Sequence, residues 1–378
     1  MTVHDVLTEF HERNWQTTCD GTLRLALVGL GWWTVEKAIP AIAASDHCET
    51  TVLVSSSTAK AERVAADVTA AGDGDDEESA DDDDGVGFVA HRPRGLSYDE
   101  FHDGDARGEY DAVYVCTPNA LHLEYVESAA EHGKHVLCEK PMEASVERAE
   151  RMIDACDEHD VRLAVGYRMQ TEPAVRRARE LIRDGAIGDP RLVHGANTQR
   201  LLDIFDSPDQ WRLDPELTGY GTSVMDLGVY PINTARFLLD ADPVAVQASM
   251  QSNHDAFDDV PDEHAAFLVE FDDGTMASCT SSQNAHENTF LEITGTDGTI
   301  RLDPAFHMET DLSLTVDGST VSVDQAQRDQ MRELFDYVAH AILTDEPVSV
   351  DGAHGLVDLQ TIAAIHESAE DGERKPLD

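Results

Sequence analysis

Over the first 166 residues short apolar runs alternate with stretches whose apolar positions recur at helical spacing. Leu23-Arg-Leu-Ala-Leu-Val28 has the makeup of a strand, breaks at Gly29-Leu-Gly31, and gives way to a helix over 35–44. The pattern repeats as strand 50–55 and helix 58–68. Strand signals follow at 87–90, 112–116 and 135–138, with helices near Ser97 and over 121–132; helix 145–160 and strand 161–166 complete the series. Strands alternating with helices predict an α/β domain, a parallel sheet covered on both faces.

Past Tyr167 the rhythm changes. Helices over 174–184 and 222–239 precede strand patterns at 244–250, 265–271, 276–282 and 289–294, with turn signals at Asp272-Asp-Gly274 and Asp297-Gly298. Strands joined by such turns pair antiparallel. A second, α+β domain with a largely antiparallel open sheet is therefore expected, closed by helices near 325–343 and 355–370. The resulting division is an extension over 1–21, a nucleotide-binding domain over 22–166 with an acidic insertion at 72–85, and a second domain over 167–378. The last helix is expected to pack back toward the first domain.

Charge narrows the partners. Across 378 residues, 75 acidic side chains face 27 basic ones, for a net charge of -48. Such a surface repels nucleic acid and anionic membranes, so neither is an expected partner. The carboxylates are spread along the whole chain, and their mutual repulsion fades only in concentrated salt, where the screening length falls to about 3 Å. A salt-rich cytoplasm is the expected setting. Six cysteines show no CxxC spacing and read as free thiols of a reducing compartment. The first 15 residues have no basic-then-apolar export pattern, and no apolar run reaches membrane-spanning length. The 17 histidines do not fall into ligand spacing with Cys or Glu, so no metal is expected.

Candidate chemistry gathers at strand ends. Gly29 and Gly31 let backbone N–H groups approach a pyrophosphate at the positive end of the following helix, with Thr34 in place of the usual third Gly or Ala loosening the helix-to-strand packing. The second strand ends in Val54-Ser-Ser-Ser57 with Lys60 beyond, and lacks the carboxylate that binds an unphosphorylated ribose. Ser55, Ser56 and Lys60 instead suit a 2′-phosphate, which argues for NADP; the same segment also suits a plain Ser57 helix cap and an exposed lysine. Thr117-Pro118-Asn119 and Glu139-Lys140-Pro141 follow two further strands at the edge where open α/β sheets bind ligands. In the second half stand Trp211-Arg212, then Asp226 and Tyr230, four apart and on one face of a helix that Pro231 threatens to kink.

Taken together, the glycine turn, Thr117-Pro-Asn119, Glu139-Lys-Pro141, Gln210-Trp-Arg212, the Asp226 to Tyr230 segment and the closing Asp351-Gly to His366-Glu-Ser368 run resemble the glucose-fructose oxidoreductase and inositol dehydrogenase (Gfo/Idh/MocA) family. The acidic composition and the Trp15-Gln-Thr-Thr18 lead-in resemble its members from halophilic archaea. The resemblance implies an N-terminal Rossmann domain, a catalytic Lys140, an active-site carboxylate Asp226 and a proton-transferring Tyr230. It also implies NADP held by Gly29, Gly31, Trp32, Trp33, Ser55, Ser56, Lys60, Thr117, Pro118, Asn119, Glu139, Lys140, Trp211 and Arg212. His122 is assigned a packing role. The resemblance also makes 167–378 the substrate-binding and oligomerisation domain, with a homodimer or homotetramer formed through the second sheet. The reaction so implied is oxidation of an aldopyranose at C1, D-xylose to D-xylonolactone first, with Tyr230 as base. Free tyrosine titrates near pH 10, and a neighbouring Lys140 cation favours its phenolate. Another sugar, an inositol or a dicarbonyl on the same scaffold, or a non-catalytic NADP and sugar sensor, are the alternatives. Residues 1–21 resemble neither the signal nor the cofactor-retaining arm of exported members, which implies exchange of free NADP.

Overall fold

The computed structural model describes residues 19–70, 89, 91–205, 207–324 and 327–377. Residues 1–18, including the Trp15-Gln-Thr-Thr18 lead-in, and the acidic insertion 72–85 lie outside the described residues. The first half carries strands β1 (Leu23–Val28), β2 (Cys48–Ser55), β3 (Arg94–Ser97), β4 (Ala112–Val115), β5 (His135–Cys138) and β6 (Leu163–Val165). All pair in parallel, in the order β3-β2-β1-β4-β5-β6. Helices α1 (Ile39–Ala43), α2 (Thr58–Ala70), α3 (Tyr98–His102), α4 (His122–Glu131) and α5 (Val146–Glu158) connect them. Strands β1, β2 and β4 are buried almost throughout, so they read as unbroken apolar runs rather than alternating ones.

The third strand differs from the one expected at 87–90. Residues 87, 88 and 90 are outside the described set, and the strand beside β2 is Arg94–Ser97. Only Leu96 is apolar there, so periodicity gives no signal. Gly95 is required by packing, since a Cβ would lie 2.7 Å from the Glu62 backbone nitrogen. Ser97 then caps α3 in a reciprocal box with Glu100.

The second half builds a nine-stranded sheet from β7 (Pro190–Arg200), β8 (Pro243–Gln251), β9 (His264–Phe271), β10 (Met276–Ser282), β11 (Asn284–Gly295), β12 (Gly298–Leu302), β13 (Leu312–Val316), β14 (Ser319–Ser322) and β15 (Lys375–Pro376). Their order is β14-β13-β12-β11-β7-β10-β9-β8-β15. Pairing is antiparallel except between β7 and β10, which run parallel. The sequence pattern missed β7 altogether, although it is the strand on which the sheet turns. Its second half buries Asn197 and Thr198, with Asn197 and Gln199 facing the site described below, and buried polar residues erase the alternation that marks a strand.

Helices of the second half reach back to the first sheet. The helices are α6 (Pro173–Arg183), α7 (Leu201–Ile204), α8 (Pro215–Thr218), α9 (Val229–Leu239), α10 (Gln330–Leu343) and α11 (Gly352–Asp371), and it is α10 and α11 that touch strands of the first sheet. In α10, Phe335 meets Tyr114 of β4 edge to face at 5.2 Å. The first turn of α11 lies so close to β6 that a Cβ on Gly352 or Gly355 would stand 2.9 Å from Leu163 or Val165. Its far end accepts the Ala248 N–H of β8 on Ser368 Oγ at 3.0 Å. One helix thus braces both sheets, and the crevice between them has firm walls.

Candidate active site

The order of the first sheet reverses between β1 and β4, and the crevice outside their carboxyl ends is the expected ligand edge. Gly29 sits there at φ 92° with its N–H on the Val54 carbonyl, and a Cβ would lie 2.2 Å from the Cys116 carbonyl oxygen. Gly31 is different: a Cβ would meet nothing within 4 Å. Thr34 is fully buried with its hydroxyl on the Gly29 carbonyl at 2.6 Å, and the following turn Thr34–Ala38 is a wide π turn. The branched residue at the third fingerprint position is therefore housed by widening the helix.

A cavity of ≈ 270 Å³ opens between this edge and the second sheet. It gathers Trp32, Trp33, Thr117, Asn119, Glu139, Lys140, Trp211, Arg212, Asp226 and Tyr230 from the expected set. Gly29, Gly31, Pro118 and the Ser55 to Lys60 group lie outside its lining. Ser56 is exposed and Lys60 half-buried, whereas Ser55 is fully buried. Asn119 holds the turn by donating to the Thr218 carbonyl at 3.0 Å. His122 bridges the Thr117 and Met142 carbonyls at 2.9 and 3.0 Å, tying the loops after β4 and β5 together.

At the centre, Lys140 Nζ donates to the backbone carbonyl and to Oδ1 of Asp226, both at 2.9 Å. Asp226 Oδ2 accepts from Arg212 Nε at 3.2 Å and from Gln283 Nε2 at 3.1 Å. Burial alone would raise the Asp226 carboxyl, but the Lys140 and Arg212 charges outweigh it and hold the group well below the usual carboxylate range. Burial likewise works against the Lys140 cation, and Asp226 keeps it above its ordinary value. The ammonium stands 4.6 Å from the Tyr230 ring centroid, over its face.

Local backbone chemistry explains why Asp226 offers a carbonyl at all. A π turn, Val224–Gly228, precedes α9, and Pro231 has no N–H to give to the carbonyls four and five residues earlier. Asn197 Nδ2 takes the Leu227 carbonyl at 3.2 Å, and Lys140 takes that of Asp226. Pro231 does not break the helix; it frees the acceptor that anchors the lysine.

The comparisons with known proteins agree with this architecture. Residues 23–167 match the family described as "Oxidoreductase family, NAD-binding Rossmann fold", and residues 175–301 match the "GFO/IDH/MocA C-terminal domain". The chain belongs to the Gfo/Idh/MocA family. It is 52% identical over 371 residues to D-xylose 1-dehydrogenase (NADP(+)) of Haloarcula marismortui, covering 97% of each chain. It is 30% identical over 358 residues to D-xylose 1-dehydrogenase (NADP(+)) 2 of Haloferax volcanii, covering 94% of this chain and 98% of that one. Among solved structures, aldose-aldose oxidoreductase from Caulobacter crescentus, complexed with glycerol, aligns with a TM-score of 0.82 at 30% identity, covering 94% of this chain and 100% of that one. The fold and family expected from the motifs are borne out, and the protein is an oxidoreductase.

Sequence reasoning missed several residues of this Gfo/Idh/MocA site. Arg168, Asn197 and His307 line the cavity, and Gln283 reaches Asp226 from the end of β10. Arg168 had a signal: it follows β6 as Lys140 follows β5, at the same edge of the sheet. Asn197 had none, because β7 itself was invisible. Cys116 also lines the cavity, but burial pushes its thiol up to about 12, so it stays protonated. Among the described residues no group of three or more His, Cys, Asp or Glu is placed to hold a metal. No helix among them is long and apolar enough to cross a membrane.

Proposed function

We propose that the protein oxidises an aldopyranose at C1 with NADP, D-xylose to D-xylonolactone being the first candidate. The observation that carries this reading is the meeting of Lys140, Asp226 and Tyr230 in one cavity at the nucleotide edge. The name of the 52% identical relative supplies the sugar and the cofactor.

The residues fit a dinucleotide phosphate. Gly31 leaves open room beside the turn, and Ser56 with Lys60 offers a hydroxyl and a cation, with no carboxylate, at the end of β2. NADP, when bound, supplies the hydride acceptor. Lys140, anchored on Asp226, has one N–H left to hold the C1 oxygen of the sugar. Tyr230 takes the C1 hydroxyl proton as the C1–H bond gives up its hydride and the C1–O bond becomes a carbonyl. Trp32, Trp33, Trp211 and Phe205 wall the cavity and limit water.

The chain is further proposed to act as a homodimer or homotetramer in a reducing, salt-rich cytoplasm. Leu192, Leu268 and Met276 stand exposed on one face of the second sheet, and the register sets Met276 beside Leu192 and Leu268 beside Ser278. The six cysteines are all free.

The test is NADPH formation in molar KCl with D-xylose, D-glucose, L-arabinose and myo-inositol, each with NADP and with NAD. Preferred turnover of xylose with NADP supports the reading. A preference for inositol or for NAD overturns it, and no turnover with any pair leaves a sensor in its place.

A further inference from the structure

The resemblance assigns Lys140 as the cation that acts on Tyr230, yet the geometry gives the tyrosine oxygen to another residue. Lys140 spends two N–H bonds on Asp226 and meets Tyr230 only over the ring face. Arg168 Nη2 lies 3.1 Å from the Tyr230 hydroxyl and donates to it. We infer that Arg168 is the positioning residue for Tyr230, supplying the hydrogen bond that stabilises its oxygen as an anion. The inference rests on the proposed role of Tyr230 as base.

Three features of the site support the assignment. Arg168 is only 5% exposed, so its charge acts in a poorly screened setting. A guanidinium carries only donors, so it can give the Tyr230 oxygen a hydrogen bond and takes none from it. Its orientation is fixed from several sides. Nη2 also donates to the Phe306 carbonyl at 2.5 Å, and Nη1 donates to the His307 carbonyl at 3.1 Å and to Gln330 Oε1. The guanidinium carbon stands 5.1 Å from the Tyr230 ring centroid and 5.7 Å from that of Trp33. One side chain therefore links the helix after the glycine turn, the tyrosine and the 306–307 segment. Because the hydroxyl oxygen accepts from Arg168, the tyrosine proton is directed to another partner, as a group exchanging a proton with substrate requires.

The test is a double-mutant cycle on D-xylose oxidation, with NADP affinity followed by fluorescence titration. Arg168→Gln is expected to lower kcat about a hundredfold, with KM and NADP affinity within about threefold of wild type. In a Tyr230→Phe background the same substitution is expected to cost nothing further, because the oxygen on which it acts is gone. Guanidinium ion is expected to restore part of the activity of Arg168→Ala but none of that of Arg168→Ala/Tyr230→Phe. Losses that multiply in the double mutant, or a loss confined to KM, would overturn the inference, since a purely structural arginine damages both backgrounds. Wild-type protein that oxidises no aldose removes the parent reading instead, a result separable from failure of the cycle.

Discussion

Lys140 and Asp226 meet across two sheets: one ammonium, at the end of β5, donates at 2.9 Å to both the carbonyl and the carboxylate of a residue in the turn before α9. Their side chains are 12% and 20% exposed, so this is a largely buried ion pair. Removing one member leaves a charge that water reaches poorly. Lys140→Met is expected to destabilise the fold by about 3 kcal/mol and to lower kcat by about three orders of magnitude or more, with NADP affinity nearly unchanged. Denaturant unfolding and steady-state rates check both halves. A variant as stable as wild type would show that Arg212 and Gln283 suffice to hold Asp226.

The two turn glycines are expected to fail in different ways. Gly29→Ala forces a side chain into φ 92° and onto the Cys116 carbonyl, at a cost of about 3 kcal/mol or more. Gly31→Ala meets nothing within 4 Å, so stability should stay within about 0.5 kcal/mol while NADP affinity drops about tenfold as the methyl occupies the phosphate approach. Paired melting curves and titrations decide this. Equal loss of stability in both variants would contradict it.

Cofactor preference is expected to lie with Ser56 and Lys60, the accessible members of their group. Lys60→Ala should weaken NADP by about tenfold, as loss of a charged hydrogen bond does, and leave NAD untouched. Ser56→Asp should repel the 2′-phosphate and favour the NAD ribose. The ratio of kcat/KM for the two cofactors is the measure, and an unchanged ratio in both variants would place the 2′-phosphate elsewhere.

Asp262 gives the fold an expected pH dependence. It is fully buried and accepts the Thr222 and Val224 N–H groups at 2.6 and 2.8 Å, at the head of the turn that carries Asp226. Burial raises its carboxyl to about 7 against those two bonds. The titratable group facing it is His366, whose Nε2 stands 3.8 Å away and which burial lowers to about 4. A carboxyl raised on folding favours the protonated native state. Its stabilising contribution is complete below about pH 4, the unfolded value, and is lost as the pH rises through 7, at up to about 1.4 kcal/mol per unit. Unfolding midpoints of wild type and Asp262→Asn, taken in molar KCl from about pH 5 to 8, should therefore diverge from parallel, with wild type losing ground toward high pH. Parallel curves would mean that the backbone donors keep Asp262 ionised throughout.

Much of the fold was legible because the first sheet is buried on both faces. Apolar strands such as Ala112–Val115 are visible without any partner, and Gly29 announces a turn that only glycine can make. The edge strand Arg94–Ser97 and the central β7 were not legible: one has a single large apolar residue, and the other turns Asn197 and Thr198 inward. Both depart from the hydrophobic alternation that sequence reading depends on.

The same contrast holds at the site. By itself the sequence determined the nucleotide edge, the acidic surface and the candidates Lys140, Asp226 and Tyr230, because short motifs carry turn chemistry and charge within a few residues of each other. Tertiary structure alone decided who touches whom. Arg168 reaches Tyr230, 62 positions away, from the other half of the chain, and Gln283 reaches Asp226, 57 away, within the second half; hydrogen bonds over such separations are set by how sheets and helices dock. Even Pro231, which in sequence reads as a helix breaker, frees a carbonyl that only becomes useful once Lys140 arrives from the other sheet.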